Sequence, residues 1–314
     1  MKVNTSINGD ARTIEYLHIA AYLVANPESP LGVARLMLQT MASALGVDEV
    51  EYARADIAVT TRDSRTPTSA WRVTDAKEAT LLERNANIVG RLAAEDMRIV
   101  DRAIWHLILS MNRRGSVYKY WDWKWTYTYV GQYVNQHVCY DAHIRLSVRT
   151  DYFVNDAEKA RPREFVNAII QQLCKACQVY YLLVQPTVCF EDGAGLAFEH
   201  GGVNGGLAAQ IVQELWDKLG KERHYKVRGV FWGQYLSSSH LDRLGGKASF
   251  VRDYLALANG RPGSDKFVTD IDGGGVFIKL CDNPMNFSLH GLNVPCQDLG
   301  AWLHQRFRQS QLLI

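Results

Sequence analysis

From Trp121 to Tyr129 the chain alternates strictly. Trp121, Trp123, Trp125, Tyr127 and Tyr129 take the odd positions, and Asp122, Lys124, Thr126 and Thr128 the even ones. A period of two marks a β-strand, because successive side chains on a strand point to opposite faces. The segment therefore predicts a strand with one aromatic and one polar face. Such a row can pack on helices as a half-buried strand, since large aromatic area is usually hidden. It can equally serve as a partner-binding strip, since Trp and Tyr dominate interface energetics. Few basic residues flank it, which argues against direct nucleic-acid binding.

Further elements follow from period and punctuation. Thr13 to Ala25 reads as a strand. Ser29 caps a helix that opens on Pro30, where a missing N–H costs nothing, and Leu31, Ala34, Leu38, Met41 and Leu45 give that helix an apolar face closed by Gly46. Tyr52 to Thr60 reads as a strand. Lys77 to Met111 carries helical spacing in Val100, Ile104, Leu107 and Met111, with Gly90 dividing it. His143 to Phe153 predicts a strand, Phe165, Ile169, Leu173 and Cys177 a helix face, and Val179 to Val184 a strand rich in β-formers. Ile211, Leu215 and Leu219 mark another helix, ended by Gly220. There is no short-period repeat and no run of parallel crossovers. The expected class is α+β, with a mostly antiparallel sheet, packed helices and two similar α/β halves, 1–135 and 136–314, or one continuous domain.

Between Gly229 and Gly246 the pattern is denser. Val230 to Leu236 is apolar, β-prone and short enough for a buried strand. Ser237, Ser238 and Ser239 offer hydroxyls to the free amides of a first helical turn, Leu241 and Leu244 share a face, and Gly245-Gly246 permits a tight turn. Ala248, Val251 and Leu255 resume helical spacing. Asp272-Gly-Gly-Gly275 is a turn signal before Val276 to Leu280, a strand able to pair with the first. This order, with Trp232, the Leu244-Gly245-Gly246 triplet, the late strand and a terminal segment marked by Pro295, resembles a family of bacterial type VI secretion immunity proteins, the TsiT-like group. The resemblance runs from about Val138 onward, and its motifs are hydrophobic and structural. It implies a stoichiometric inhibitor that binds and neutralises one cognate toxin effector, a TseT-like nuclease, and performs no chemistry of its own.

Composition limits the alternatives. A formal charge of +2 provides no general attraction to nucleic acid or to an anionic membrane surface. If the chain is an inhibitor, its charge complementarity is local. Met1 to Asp10 contains no apolar signal core, and no run reaches the roughly 18 apolar residues of a membrane span, so a cytoplasmic location is expected. With the resemblance, that location implies a toxin aimed at nucleic acid, nucleotide or protein. The 6 cysteines suit reduced thiols better than a disulfide framework. A homo-oligomer is open.

Candidate chemistry is sparse. Cys174 and Cys177 have the spacing of half a zinc site but lie inside a helical pattern with no second pair, so they read as small buried hydrophobes. Glu191 to Gly206 is glycine-rich and runs into a helix, yet matches neither a phosphate loop nor a dinucleotide fingerprint. It reads as a connection and a candidate binding loop, whose Asp192 and Asn204 join the aromatic row as partner-binding candidates. Asp270 with Asp272, and Glu199 with His200, lack partners at defined spacing. No standard catalytic spacing, cofactor motif or metal motif is present, and the expectation is a non-enzyme. The alternative is an enzyme acting on a nucleotide or glycan, with the aromatic strand as platform and the glycine-rich segment as its loop.

Overall fold

The computed structural model describes residues 4–7, 10–13, 16–25, 27, 29–45, 49–60, 67–75, 79–80, 104–113, 123–128, 132–134, 137–139, 142–149, 162–187, 219–284 and 294–314. Over 4–13 and 49–139 it describes backbone alone. In chain order the elements begin with β1 (Asn4–Ile7), β2 (Asp10–Thr13), β3 (Tyr16–Leu23), α1 (Pro30–Leu45), β4 (Glu49–Thr60), β5 (Pro67–Asp75), β6 (Ala79–Thr80) and β7 (Ile104–Arg113). There follow β8 (Trp123–Thr128), β9 (Gln132–Val134), β10 (His137–Cys139), β11 (Ala142–Arg149), α2 (Pro162–Ala176) and β12 (Val179–Thr187). A 3₁₀ turn (Gly220–Tyr225) precedes β13 (Gly233–Leu236), α3 (Ser238–Arg243), α4 (Lys247–Ala258), β14 (Val268–Asp270), β15 (Val276–Lys279) and α5 (Val294–Gln309). Antiparallel pairing with packed helices makes the class α+β, as the sequence predicts. Two compact units share the chain: Ala21–Gln178, and Met1–Ala20 with Val179–Ile314.

In the unit Ala21–Gln178 the strands run in the order β11-β8-β7-β4-β5, each pair antiparallel, with β6 also on β4. Helices α1 and α2 pack on each other. The start of α1 is set as its sequence implies: the Gly32 amide donates to Ser29 Oγ at 2.9 Å, with Pro30 in the first turn. Its buried side is Val33, Ala34, Met37 and Met41. On α2 the expected face is buried at Phe165, Ile169, Leu173 and Cys177, widened by Val166 and Ile170. Glu164 in its first turn and Lys175 in its last suit the helix dipole.

One element differs in kind from its sequence reading. Ile104, Leu107 and Met111 belong to β7, a ten-residue strand between β4 and β8, and not to a helix. The reason lies in the residues between them: Trp105, Ile108 and Leu109 fill the gaps, so the run is apolar at both periods and its β-branched and aromatic content favours a strand. Val100 and Gly90 lie outside the described residues.

The other unit carries the order β14-β15-β13-β12, all antiparallel. The expected pairing of Val230–Leu236 with Val276–Leu280 is present as β13 on β15, with Tyr235 opposite Phe277. Two glycines make that pairing close. A Cβ on Gly233 would stand 2.6 Å from Phe277 Cζ, and one on Gly275 would overlap the Tyr235 ring. Gly245 and Gly246 have φ of +94° and +93°, the left-handed backbone that a turn between α3 and α4 needs. Helix α4 forms where expected, but its buried residues are Phe250, Tyr254 and Ala258; Ala248 is exposed, and Val251 and Leu255 are half-buried. Both sets fit a helical period, and the core took the aromatic one because it removes more apolar area from water. Phe250 and Tyr254 meet Trp302 of α5 at 5.8 and 6.0 Å, and Tyr254 Oη donates to the Lys279 carbonyl at 2.7 Å. These contacts tie α4 and α5 to β15.

Candidate functional site

Trp123, Trp125 and Tyr127 fall within β8 on one face, while Trp121, Tyr129, Asp192 and Asn204 lie outside the described residues. Strand β8 is paired on both edges, by β7 and β11, so only its faces remain for other contacts. Directly opposed residues of an antiparallel pair share a face. Trp123 opposes Met111 and Val148, Trp125 opposes Leu109 and Leu146, and Tyr127 opposes Leu107 and Ile144. The three β11 members of these rows, Ile144, Leu146 and Val148, are buried. The aromatic positions thus continue a face that is covered along β11.

A second cluster sits where β13 enters α3. Ser237 was expected to cap α3 through its hydroxyl, but makes no side-chain bond to the first-turn amides. Instead Ser237 Oγ lies 2.8 Å from His240 Nδ1 and 2.9 Å from Ser239 Oγ, while His240 Nε2 lies 3.2 Å from the Lys226 carbonyl. A carbonyl only accepts, so Nε2 carries the proton, Nδ1 accepts from Ser237, and Ser237 accepts from Ser239. The imidazole packs near Tyr181, ring centroids 6.2 Å apart, and is wholly buried. Burial is the main reason its pKa falls to about 4; the bond to the Lys226 carbonyl opposes the fall, and Arg243 and His224 add to it.

Serine beside histidine has the geometry of a nucleophile with its base, but the environment works against that role. A general base is most effective with a pKa near the working pH. This imidazole is sealed, stays neutral and is a weak base, so the cluster joins three stretches of chain: Lys226, the turn at Ser237 and α3. Sequence reasoning missed it. The only signal was a Ser and a His three residues apart at the start of a short helix.

The remaining candidates are quickly placed. Cys174 is half-buried and Cys177 buried at the end of α2, with both thiols free and pushed up to about 12, chiefly by burial. Thiols held protonated are poor metal ligands and poor nucleophiles. Asp270 makes an exposed ion pair with Lys247 at 3.1 Å, and Asp272 lies in an exposed turn. Glu199 and His200 lie outside the described residues. Among the described residues no group of three or more His, Cys, Asp or Glu could hold a metal ion, and no helix is long and apolar enough to cross a membrane.

No protein-family model matches the chain, and no curated protein matches it. Among solved structures, one described as Pseudomonas aeruginosa T6SS protein PA0821 aligns with 100% of this chain and 87% of its own length, with a TM-score of 0.45 and 13% identity.

Proposed function

We propose that this chain is a type VI secretion immunity protein, which binds a cognate toxin effector stoichiometrically in the cytoplasm and neutralises it, the effector being a nuclease. The observation that carries the reading is where the residues behind the sequence resemblance fall. Trp232 meets Phe277 at 6.4 Å with its indole N–H on the Cys281 carbonyl at 3.0 Å, the Leu244-Gly245-Gly246 turn separates α3 from α4, and β15 completes the pair with β13. All belong to one unit, whose C-terminal helix opens at Val294-Pro295. They are structural residues, as an inhibitor that works by presenting a surface needs.

The near-balanced charge also bears on how inhibition would work. A plug for a phosphate-binding cleft is normally acidic. Holding the effector in an inactive conformation or assembly state suits this composition better. The test is co-expression with each toxic product of the genes beside this one. The expected result is restored growth and a stable complex of fixed stoichiometry; toxicity undiminished by a folded, expressed chain would reject the reading.

A further inference from the structure

Helix α3 is six residues long and stands between two breaks in the helical backbone. At its start Ser237 is extended, with φ of −70° and ψ of 168°. At its end come Gly245 and Gly246, and a Cβ built on either would meet nothing within 4 Å, so the turn borders open space. A helix this short does not hold by itself in water. Its place therefore depends on what its residues grip. Leu241 and Leu244 are buried, the Leu244 carbonyl accepts from Arg306 Nη2 of α5 at 3.0 Å, and the Arg243 guanidinium lies 4.6 Å over the Tyr225 ring. The remaining tie is His240, held between Ser237 Oγ and the Lys226 carbonyl.

Of these ties, only the imidazole takes up a proton in the acid range. A proton added at Nδ1 turns an acceptor into a donor, and the Ser237 hydroxyl must rotate to accept from it. The bonds can be redrawn, but the charge has no counterion. His240 is wholly buried, the charged groups facing it are Arg243 of α3 and His224 of the 3₁₀ turn, and the Tyr181 ring of β12 lies beside it. Among the described residues no carboxylate bonds to it. A buried charge without a counterion costs more than the contacts that hide it, so the imidazolium is better placed in water. We propose that α3 is an acid-sensitive latch: proton uptake by His240 frees it from the Lys226 carbonyl, and the helix swings out between Ser237 and the glycine pair while β13 and β15 stay paired. At neutral pH the uncharged imidazole and the burial of Leu241 and Leu244 keep it shut.

Native-state hydrogen exchange of the full chain tests this, each rate being divided by the intrinsic rate at the same pH. An opening that exposes an imidazole of ordinary pKa 6.5, held at about 4 when shut, gains about twentyfold between pH 7 and pH 5. The amides of Leu241, Leu244 and Gly246, which bond within α3 and its turn, are expected to show that gain. At pH 5 they should also open more often than the amides paired between β13 and β15. From pH 7 to pH 8.5 they should change by less than about twofold, because the imidazole is then neutral in both states. In His240→Gln the acid gain should disappear. If that variant does not fold, the native chain still decides, through the α3 amides compared with those of β13 and β15. Amides of α3 that open only in step with β13 and β15 would overturn the proposal, because acid would then act through global unfolding alone. So would a gain below about threefold, or a full gain retained by His240→Gln.

Discussion

Strands β11 and β12 are of similar length and sit in different surroundings. Along β11 burial alternates, with Ile144, Leu146 and Val148 inside and His143, Arg145, Ser147 and Arg149 half-buried. Along β12 it does not: Val179 to Gln185 are all buried, as are every residue of β13 and of β15. A sheet covered on one side needs apolar side chains at every second position, whereas one covered on both sides needs them throughout. Strand β11 therefore keeps polar side chains along one side of its alternation, whereas β12, β13 and β15 spend both sides on packing.

The largest expected effect lies in the doubly covered strands. Trp232→Ala removes a fully buried ring and its bond to the Cys281 carbonyl, and should cost about 3–5 kcal/mol in urea unfolding. In β11 the contrast is between neighbours: Leu146→Ala should cost about 2–5 kcal/mol, and Ser147→Ala, which gives up a half-buried hydroxyl and its partner, about 1 kcal/mol or less. Equal losses at 146 and 147 would break the comparison, because the strand would then be sealed on both sides.

His240 supplies an effect of similar size with a pH signature. Its folded pKa of about 4 lies below the ordinary 6.5, so between these values the unfolded chain binds a proton that the folded chain refuses. Stability contributed by the neutral imidazole is complete above pH 6.5 and is lost as pH falls towards 4, by roughly 3 kcal/mol in total. Urea midpoints taken from pH 7 to pH 5 should fall more steeply for the native chain than for His240→Gln. Direct nitrogen NMR should show Nε2 protonated and no titration near 6.5.

One effect has the opposite sign. Gln234 is wholly buried on β13, and neither atom of its carboxamide has a hydrogen-bond partner among the described residues. Replacing a buried, unsatisfied polar group with an apolar one of similar shape relieves its desolvation cost. Gln234→Met is expected to stabilise by about 1 kcal/mol, read as a higher urea midpoint at unchanged slope.

How much of this was legible in the sequence depends on range. Local signals survived: the Ser29-Pro30 helix start, the glycine pair after Leu244, the alternation through Trp123, Trp125 and Tyr127, and the unbroken run at Val179. Period failed where apolar residues crowd, as at Ile104 to Met111, because strand and helix templates then fit equally. Choice of face failed on α4, where Phe250 and Tyr254 outweighed Val251 and Leu255. The Ser237-His240 cluster was beyond reach altogether. Ser237 and His240 sit unremarkably at the start of a short helix, and only the return of the chain at Lys226 gives the imidazole its second bond.

The central claim is that this protein acts by occupying another protein's surface. The most direct measurement is co-purification of the chain with the products of the genes beside its own, with growth of the co-expressing cells scored in parallel. A stable complex of fixed stoichiometry with growth restored is the predicted result. A folded chain that brings down no effector and restores no growth, or that turns over a substrate on its own, would contradict the claim.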